Sequence, residues 1–100
     1  MSGNVYSVDR IKNVLDPVFN KYSVKKATLF GSYAKGNADE KSDIDLLLDS
    51  GLRGLRFVEL IEAIHSAVDK DVDVFDISHI VPGSRIQDEI NRHGVTIYEA

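Results

Sequence analysis

Apolar residues recur every three or four positions at Val8, Ile11, Val14, Leu15, Val18, Phe19 and Tyr22. This is the period of one helical face and predicts an amphipathic helix over about residues 7–22. Pro17 lies inside that stretch and has no amide proton, so a kink or a restart is expected there. The pattern then changes. "KKATLF" is a short apolar run ending at Gly31, and "SDIDLLLD" is a second, both of strand length. Leu55, Val58, Ile61, Ile64 and Val68 restore the helical period, and "DVDVFDI" reads as a third strand. Ser84 followed by Gln87 has capping-box spacing, and Gly94 serves as a helix terminator. A last helix is therefore predicted over about 85–93, with "VTIYE" as the closing strand.

Helices alternating with short strands give an α/β fold, in detail an α+β two-layer domain with a small mixed sheet. One hundred residues suit one hydrophobic core, so a single domain over 1–100 is expected. The link "GSYAKGNADEK" is too short for a full crossover helix, which marks it as functional backbone rather than scaffold. The 43% apolar and 28% charged fractions are those of an ordinary globular chain. No apolar run approaches the roughly 18 residues of a membrane span. The opening "MSGNVYSVDR" lacks the basic-then-apolar order of a secretory leader, and the absence of cysteine excludes disulfides and thiolate metal sites. The expected location is cytoplasmic. A net charge of −4 with no Lys/Arg run gives no general attraction to nucleic acid. Any polyphosphate would have to be held by a few placed donors and a metal ion.

Asp43 and Asp45 straddle Ile44 within the second apolar run. Side chains alternate along a strand, so the two carboxylates share a face about 6–7 Å apart, while Ile44 and Leu46 supply core packing. At an effective dielectric near 20 such a pair repels by roughly 2–3 kcal/mol. The strand tolerates this if its end is solvated, if one acid is protonated, or if a cation intervenes. Oxygen donors of this kind suit Mg²⁺. Two acids flanking one residue are a weak pattern alone; the residues upstream make it specific. Gly31 permits close backbone approach, Ser32 offers a hydroxyl, and Lys35 places an ammonium one turn further on. Gly36 and Asn37 then supply a turn.

Gly31-Ser32, ten residues, then Asp43-Ile44-Asp45 resembles the G-S-x10-D-x-D signature of the nucleotidyltransferase superfamily that includes DNA polymerase β. The chain looks most like its smallest bacterial members, the minimal nucleotidyltransferase (MNT) domains. The likeness extends over the leading helix, "ATLFGSYAKG", "SDIDLLLD", "DVDVFD", the last helix and "GVTIYE". It implies the polymerase β-like fold, with Gly31, Ser32 and Lys35 holding a triphosphate and Asp43 and Asp45 holding divalent metal. The family often has arginine where Lys35 stands, and lysine lacks the bidentate fork. A third metal-binding acid is implied on a later strand, where Asp73 matches best. Asp73 sits mid-strand between valines, where an unpaired carboxylate is most costly, whereas Asp71 and Asp76 read as solvated strand ends. Asp71 remains the alternative.

The implied reaction moves AMP from ATP to an acceptor hydroxyl with two Mg²⁺ ions, Asp73 being the general-base candidate. The acceptor is expected to arrive on another molecule. The resemblance suggests a tyrosine of a HEPN-type RNase toxin from a neighbouring gene, which makes this chain its antitoxin. A domain that keeps the fold but silences its partner by binding alone is the alternative. A phospho-acceptor signalling domain fits poorly, since its acids normally follow an opening strand, and no P-loop pattern is present. Among other residues, Tyr33 either stacks on a base or packs against the first helix, and Ser42 shapes the strand entry. His65 reads as a partly exposed surface residue, His93 as a partner of a helix dipole. His79 falls near a helix end, and no paired-histidine spacing supports zinc.

Overall fold

The computed structural model describes residues 6–100; residues 1–5, on which part of the leader reading rests, lie outside them. The first helix, α1 (Val8–Lys21), is capped by Ser7, whose hydroxyl accepts from the Arg10 amide at 3.0 Å. Asp9 in its first turn and Lys21 in its last complement the helix dipole. Ile11, Leu15 and Phe19, four residues apart, are fully buried. The helix continues through Pro17 with no restart, the ring lying on the exposed side.

After α1 come β1 (Lys26–Phe30), the short helix α2 (Ser32–Lys35), β2 (Ile44–Asp49), α3 (Gly54–Ala67) and β3 (Val72–Asp76). A 3-10 turn at Ile77–His79 leads to α4 (Arg85–His93) and β4 (Val95–Glu99). The sheet order is β3-β2-β1-β4, with β1 antiparallel to both neighbours and β2 parallel to β3. This is the mixed sheet expected from the sequence. Ile44, Leu46 and Leu48 of β2 form one core with Ala27, Leu29, the α1 stripe, and Leu60 and Ile64 of α3. The opposite side of β1 is also covered, since Thr28 and Phe30 are buried and α4 packs on that strand. Among the described residues no helix is long and apolar enough to cross a membrane.

Several local readings change in the folded chain. Leu55 and Val58 belong to α3 as expected but are 80% and 48% exposed; the buried face runs instead through Leu60 and Ile64. Gly94 ends α4 without a left-handed backbone. Its φ is −62°, and a Cβ there would stand 2.5 Å from the Ile90 carbonyl oxygen and 3.0 Å from Thr28 Cγ2. Close packing of the helix end on β1 requires the glycine. Ser84 caps α4 as predicted, but Gln87 reaches the Gly83 amide, at 2.8 Å, rather than that of the cap residue. Tyr33 packs in the core at 4% exposure. His65 is exposed, with Nε2 2.8 Å from the Val72 carbonyl oxygen; the His79 ring lies 6.3 Å from Phe57, and His93 is in the last turn of α4.

Asp76 is not a solvated strand end. It is 4% exposed and accepts from the Ser50 hydroxyl and amide at 2.7 and 3.2 Å. Its other oxygen accepts from the Ser78 hydroxyl and amide at 2.7 and 3.1 Å. Burial pushes its pKa up, but the four hydrogen bonds outweigh burial and hold it below the ordinary 3.8. The carboxylate thus ties the ends of β2 and β3 together. Because the folded pKa is depressed, this stabilisation is present above pH 3.8 and is lost as pH falls through the lower folded value. Asp76→Ala is expected to cost about 2–3 kcal/mol at neutral pH. Urea unfolding at neutral and acid pH checks both points: the deficit should shrink in acid.

Candidate active site

The antiparallel register sets Phe30 opposite Asp45, and the parallel register sets Asp45 beside Asp73. Facing residues of paired strands project to the same side, so Asp45 and Asp73 stand next to each other on the face away from Ile44 and Leu46. Asp43 lies one residue before β2 rather than within it, exposed, and still close enough to act on Asp45 by charge. The entry to β2 is pinned on both sides. The Ile44 amide donates to the Asp71 carbonyl at 3.0 Å, and Lys70 Nζ donates to the Glu40 carbonyl at 2.7 Å. Ser42 holds the preceding turn, its hydroxyl accepting from the Asp39 amide at 2.9 Å.

The two sequence motifs meet at Gly31. Its φ of 77° and ψ of −153° belong to a region essentially reserved for glycine. A Cβ at this position would overlap Asp45 Oδ2 and lie 3.2 Å from Asp45 Cγ. The carboxylate therefore sits directly on the glycine. From there α2 makes a single turn, with the Lys35 amide donating to the Gly31 carbonyl at 3.1 Å and Gly36 closing it at φ 81°. The tight link between β1 and β2 is thus shaped by glycines at both ends.

Asp45 is the electrostatic focus. Burial first, then Asp73, Asp43, a hydrogen bond to the Asp73 carboxyl, and Glu89 raise its pKa from 3.8 to about 6. Asp73 itself is exposed, which overturns the argument that its mid-strand position demands a cation by burial; the demand comes from Asp45, the half-buried member. Among the described residues no three His, Cys, Asp or Glu side chains converge tightly enough to enclose a metal ion. Asp45 and Asp73 are brought together, Asp43 is near them in charge only, and Asp71 lies exposed at the approach to β3. The donor set is all carboxylate oxygen, which in kind suits a hard divalent cation.

Gly31, Lys35 and Asp45 open into a hollow of about 220 Å³ walled by Phe30 and Ile86. Arg85 and Glu89 of α4 complete it, and Lys35 Nζ lies 2.9 Å from Glu89 Oε2. The volume is below the 300–1,000 Å³ usual for a whole small molecule, so it accommodates part of a larger ligand. A bigger hollow of about 410 Å³ between α3 and the 3-10 turn has no carboxylate in its lining. The α4 contribution escaped the sequence reading. Its signal was an acid on an apolar stripe, since Glu89 falls between Ile86 and Ile90 at helical spacing.

Comparison with known proteins identifies the family and the fold. The family model described as polymerase beta, nucleotidyltransferase matches residues 13–100. A protein of Methanocaldococcus jannaschii provisionally named a protein adenylyltransferase is 34% identical over 79 residues, covering 76% of this chain and 84% of its own. A toxin–antitoxin crystal structure with AMP-PNP superposes with a TM-score of 0.71 at 24% identity, over 89% of this chain and 73% of that one. A tri-AMPylated Shewanella oneidensis HEPN toxin in complex with its MNT antitoxin gives 0.67 at 21% identity, over 93% and 73%. These two structural matches speak for the fold.

The raised Asp45 pKa has a definite sign. Its contribution to stability is present below pH 3.8 and is lost as pH rises through about 6. Asp73→Asn should move the Asp45 midpoint down from about 6 while burial keeps it above 3.8, as read from carboxyl ¹³C shifts in EDTA. Gly31→Ala should destabilise by about 2–4 kcal/mol in urea unfolding. Adding Asp45→Gly to that variant should recover the part due to overlap with the carboxylate.

Proposed function

This chain belongs to the polymerase beta nucleotidyltransferase family, and from that premise we propose that residues 1–100 form one minimal nucleotidyltransferase domain that transfers AMP from ATP to a protein. The proposed acceptor is a tyrosine hydroxyl of a HEPN-type toxin encoded beside it, which modification silences in the cytoplasm. The observation that carries the reading is the meeting of Asp45 with Gly31 on one side and Asp73 on the other. The nucleotide and partner are supported by the AMP-PNP present with one structural relative and the AMPylated toxin present with another.

In this reading Asp45 and Asp73, with Asp43 drawn in from just before β2, would hold Mg²⁺, two ions in all. When bound, the metal would supply neutralisation of phosphate charge and easier ionisation of the acceptor hydroxyl. The remaining work belongs to the chain. The Gly31-Ser32 turn and Lys35 hold the triphosphate, Lys35 contributing a point charge rather than a fork. The hollow between Phe30 and Ile86 takes part of the nucleotide. The proposed general base for the tyrosine proton is Asp73, whose exposure supports the assignment. The tyrosine oxygen forms a bond to the α-phosphorus, the bond to the β-phosphate bridging oxygen breaks, and pyrophosphate leaves. Positioning and charge neutralisation supply the rate, without a covalent enzyme intermediate.

Incubating the chain with ATP, Mg²⁺ and the neighbouring gene product, then weighing the product by mass spectrometry, tests the transfer. Wild type should add AMP to a tyrosine. Asp45→Asn, and Asp43→Asn with Asp45→Asn, should lower the rate by more than about a hundred-fold, beyond what loss of an outer-shell contact costs a metal site. Unaltered partner mass alongside full protection from the toxin would replace catalysis with neutralisation by binding.

A further inference from the structure

Glu89 enters the nucleotide hollow from α4, outside both sequence motifs. Its Oε2 lies 2.9 Å from the Lys35 ammonium, and the two side chains are 28% and 37% exposed. That oxygen is shielded from solvent yet has no aligned hydrogen bond, so charge alone holds the pair. Glu89 is also one of the acids acting on Asp45. The Lys35 ammonium is thereby occupied by a carboxylate, in a hollow whose charged lining is Lys35 and Arg85 against Asp45 and Glu89.

We propose that Glu89 is an internal competitor for Lys35: it holds the lysine in the nucleotide-free protein and gives it up when triphosphate oxygens arrive, so that its carboxylate sets the affinity of the site for polyphosphate. This rests on Lys35 being a triphosphate-binding residue. The exchange is electrostatically reasonable because a triphosphate carries several negative charges where Glu89 carries one. The released carboxylate also has somewhere to go. Arg85 lines the same hollow one turn earlier on α4, at i,i+4 spacing, and makes no ion pair among the described residues. Until the exchange occurs, Glu89 keeps Lys35 aimed into the hollow and spares the ammonium an unpaired, part-buried position.

A double-variant cycle separates this from general repulsion. Sodium tripolyphosphate, titrated calorimetrically in EDTA at low ionic strength, should bind Glu89→Gln about three- to ten-fold more tightly than wild type. In a Lys35→Met background the same Glu89→Gln change should gain less than about two-fold, because no lysine remains to be released. Unchanged or weaker binding by Glu89→Gln overturns the proposal, as does an equal gain in both backgrounds. Wild type carries an independent check that needs no variant: the Glu89 carboxyl ¹³C resonance should shift on addition of tripolyphosphate, and a static resonance overturns the exchange. Binding of Mg²⁺-ATP to wild type is measured in parallel. If it binds while the cycle is additive, only the role of Glu89 fails. If neither ATP nor tripolyphosphate binds, the nucleotidyltransferase reading of this site fails and the competitor with it.

Discussion

A carboxylate resting on a glycine is the contact around which the rest of the molecule is arranged. Asp45 occupies the volume that a side chain at residue 31 would need, so the end of β1 and the start of β2 approach more closely than any other residue allows. That approach sets the turn carrying Ser32 and Lys35 against the strand carrying the acids. The parallel pairing of β2 with β3 then brings Asp73 alongside, and α4 closes the other side with Arg85, Ile86 and Glu89. Four separate elements contribute to one small hollow, each through a residue whose position follows from strand register or helix spacing.

The aspartates of β2 and β3 show how one residue type serves opposite ends. Asp76 is deeply buried and content, because two serines offer it four donors and lower its pKa despite burial. Asp45 is more exposed yet its pKa is raised, because burial is met by charge from Asp73, Asp43 and Glu89 and, among the described residues, by no hydrogen bond that favours the ionised form. Burial raises the pKa of both carboxyls; the supply of donors reverses its effect at Asp76 alone. A fold that satisfies one carboxylate so fully a few residues away leaves the other dependent on partial protonation or an added cation. That contrast is the electrostatic basis for proposing metal at Asp45 and its neighbours, while Asp76 is structural.

Local signals carried most of the fold. Ser84 marked a helix start through its side-chain cap, and the stripe of Ile11, Leu15 and Phe19 marked the buried face of α1. Those signals depend on residues within one or two helical turns, which is why they were readable. Leu55 and Val58 misled because periodicity identifies a helix but not which of its apolar positions meets a neighbour. Gly94 is the helix terminator that its position suggests, but crowding against the Ile90 carbonyl and against Thr28 of β1 is what excludes a side chain there.

The sequence by itself determined the alternation of helices and strands, the glycine-serine turn, and the side of β2 that carries Asp45 away from Ile44 and Leu46, because each follows from spacing along one segment. Only the tertiary structure decided which acid of β3 joins them, since register between strands, not order along a strand, puts Asp73 beside Asp45 and turns Asp76 inward. It also decided that α4 reaches the site. Glu89 meets Lys35 through packing of a late helix on an early strand, and contacts between segments far apart in sequence leave no mark on the periodicity of either.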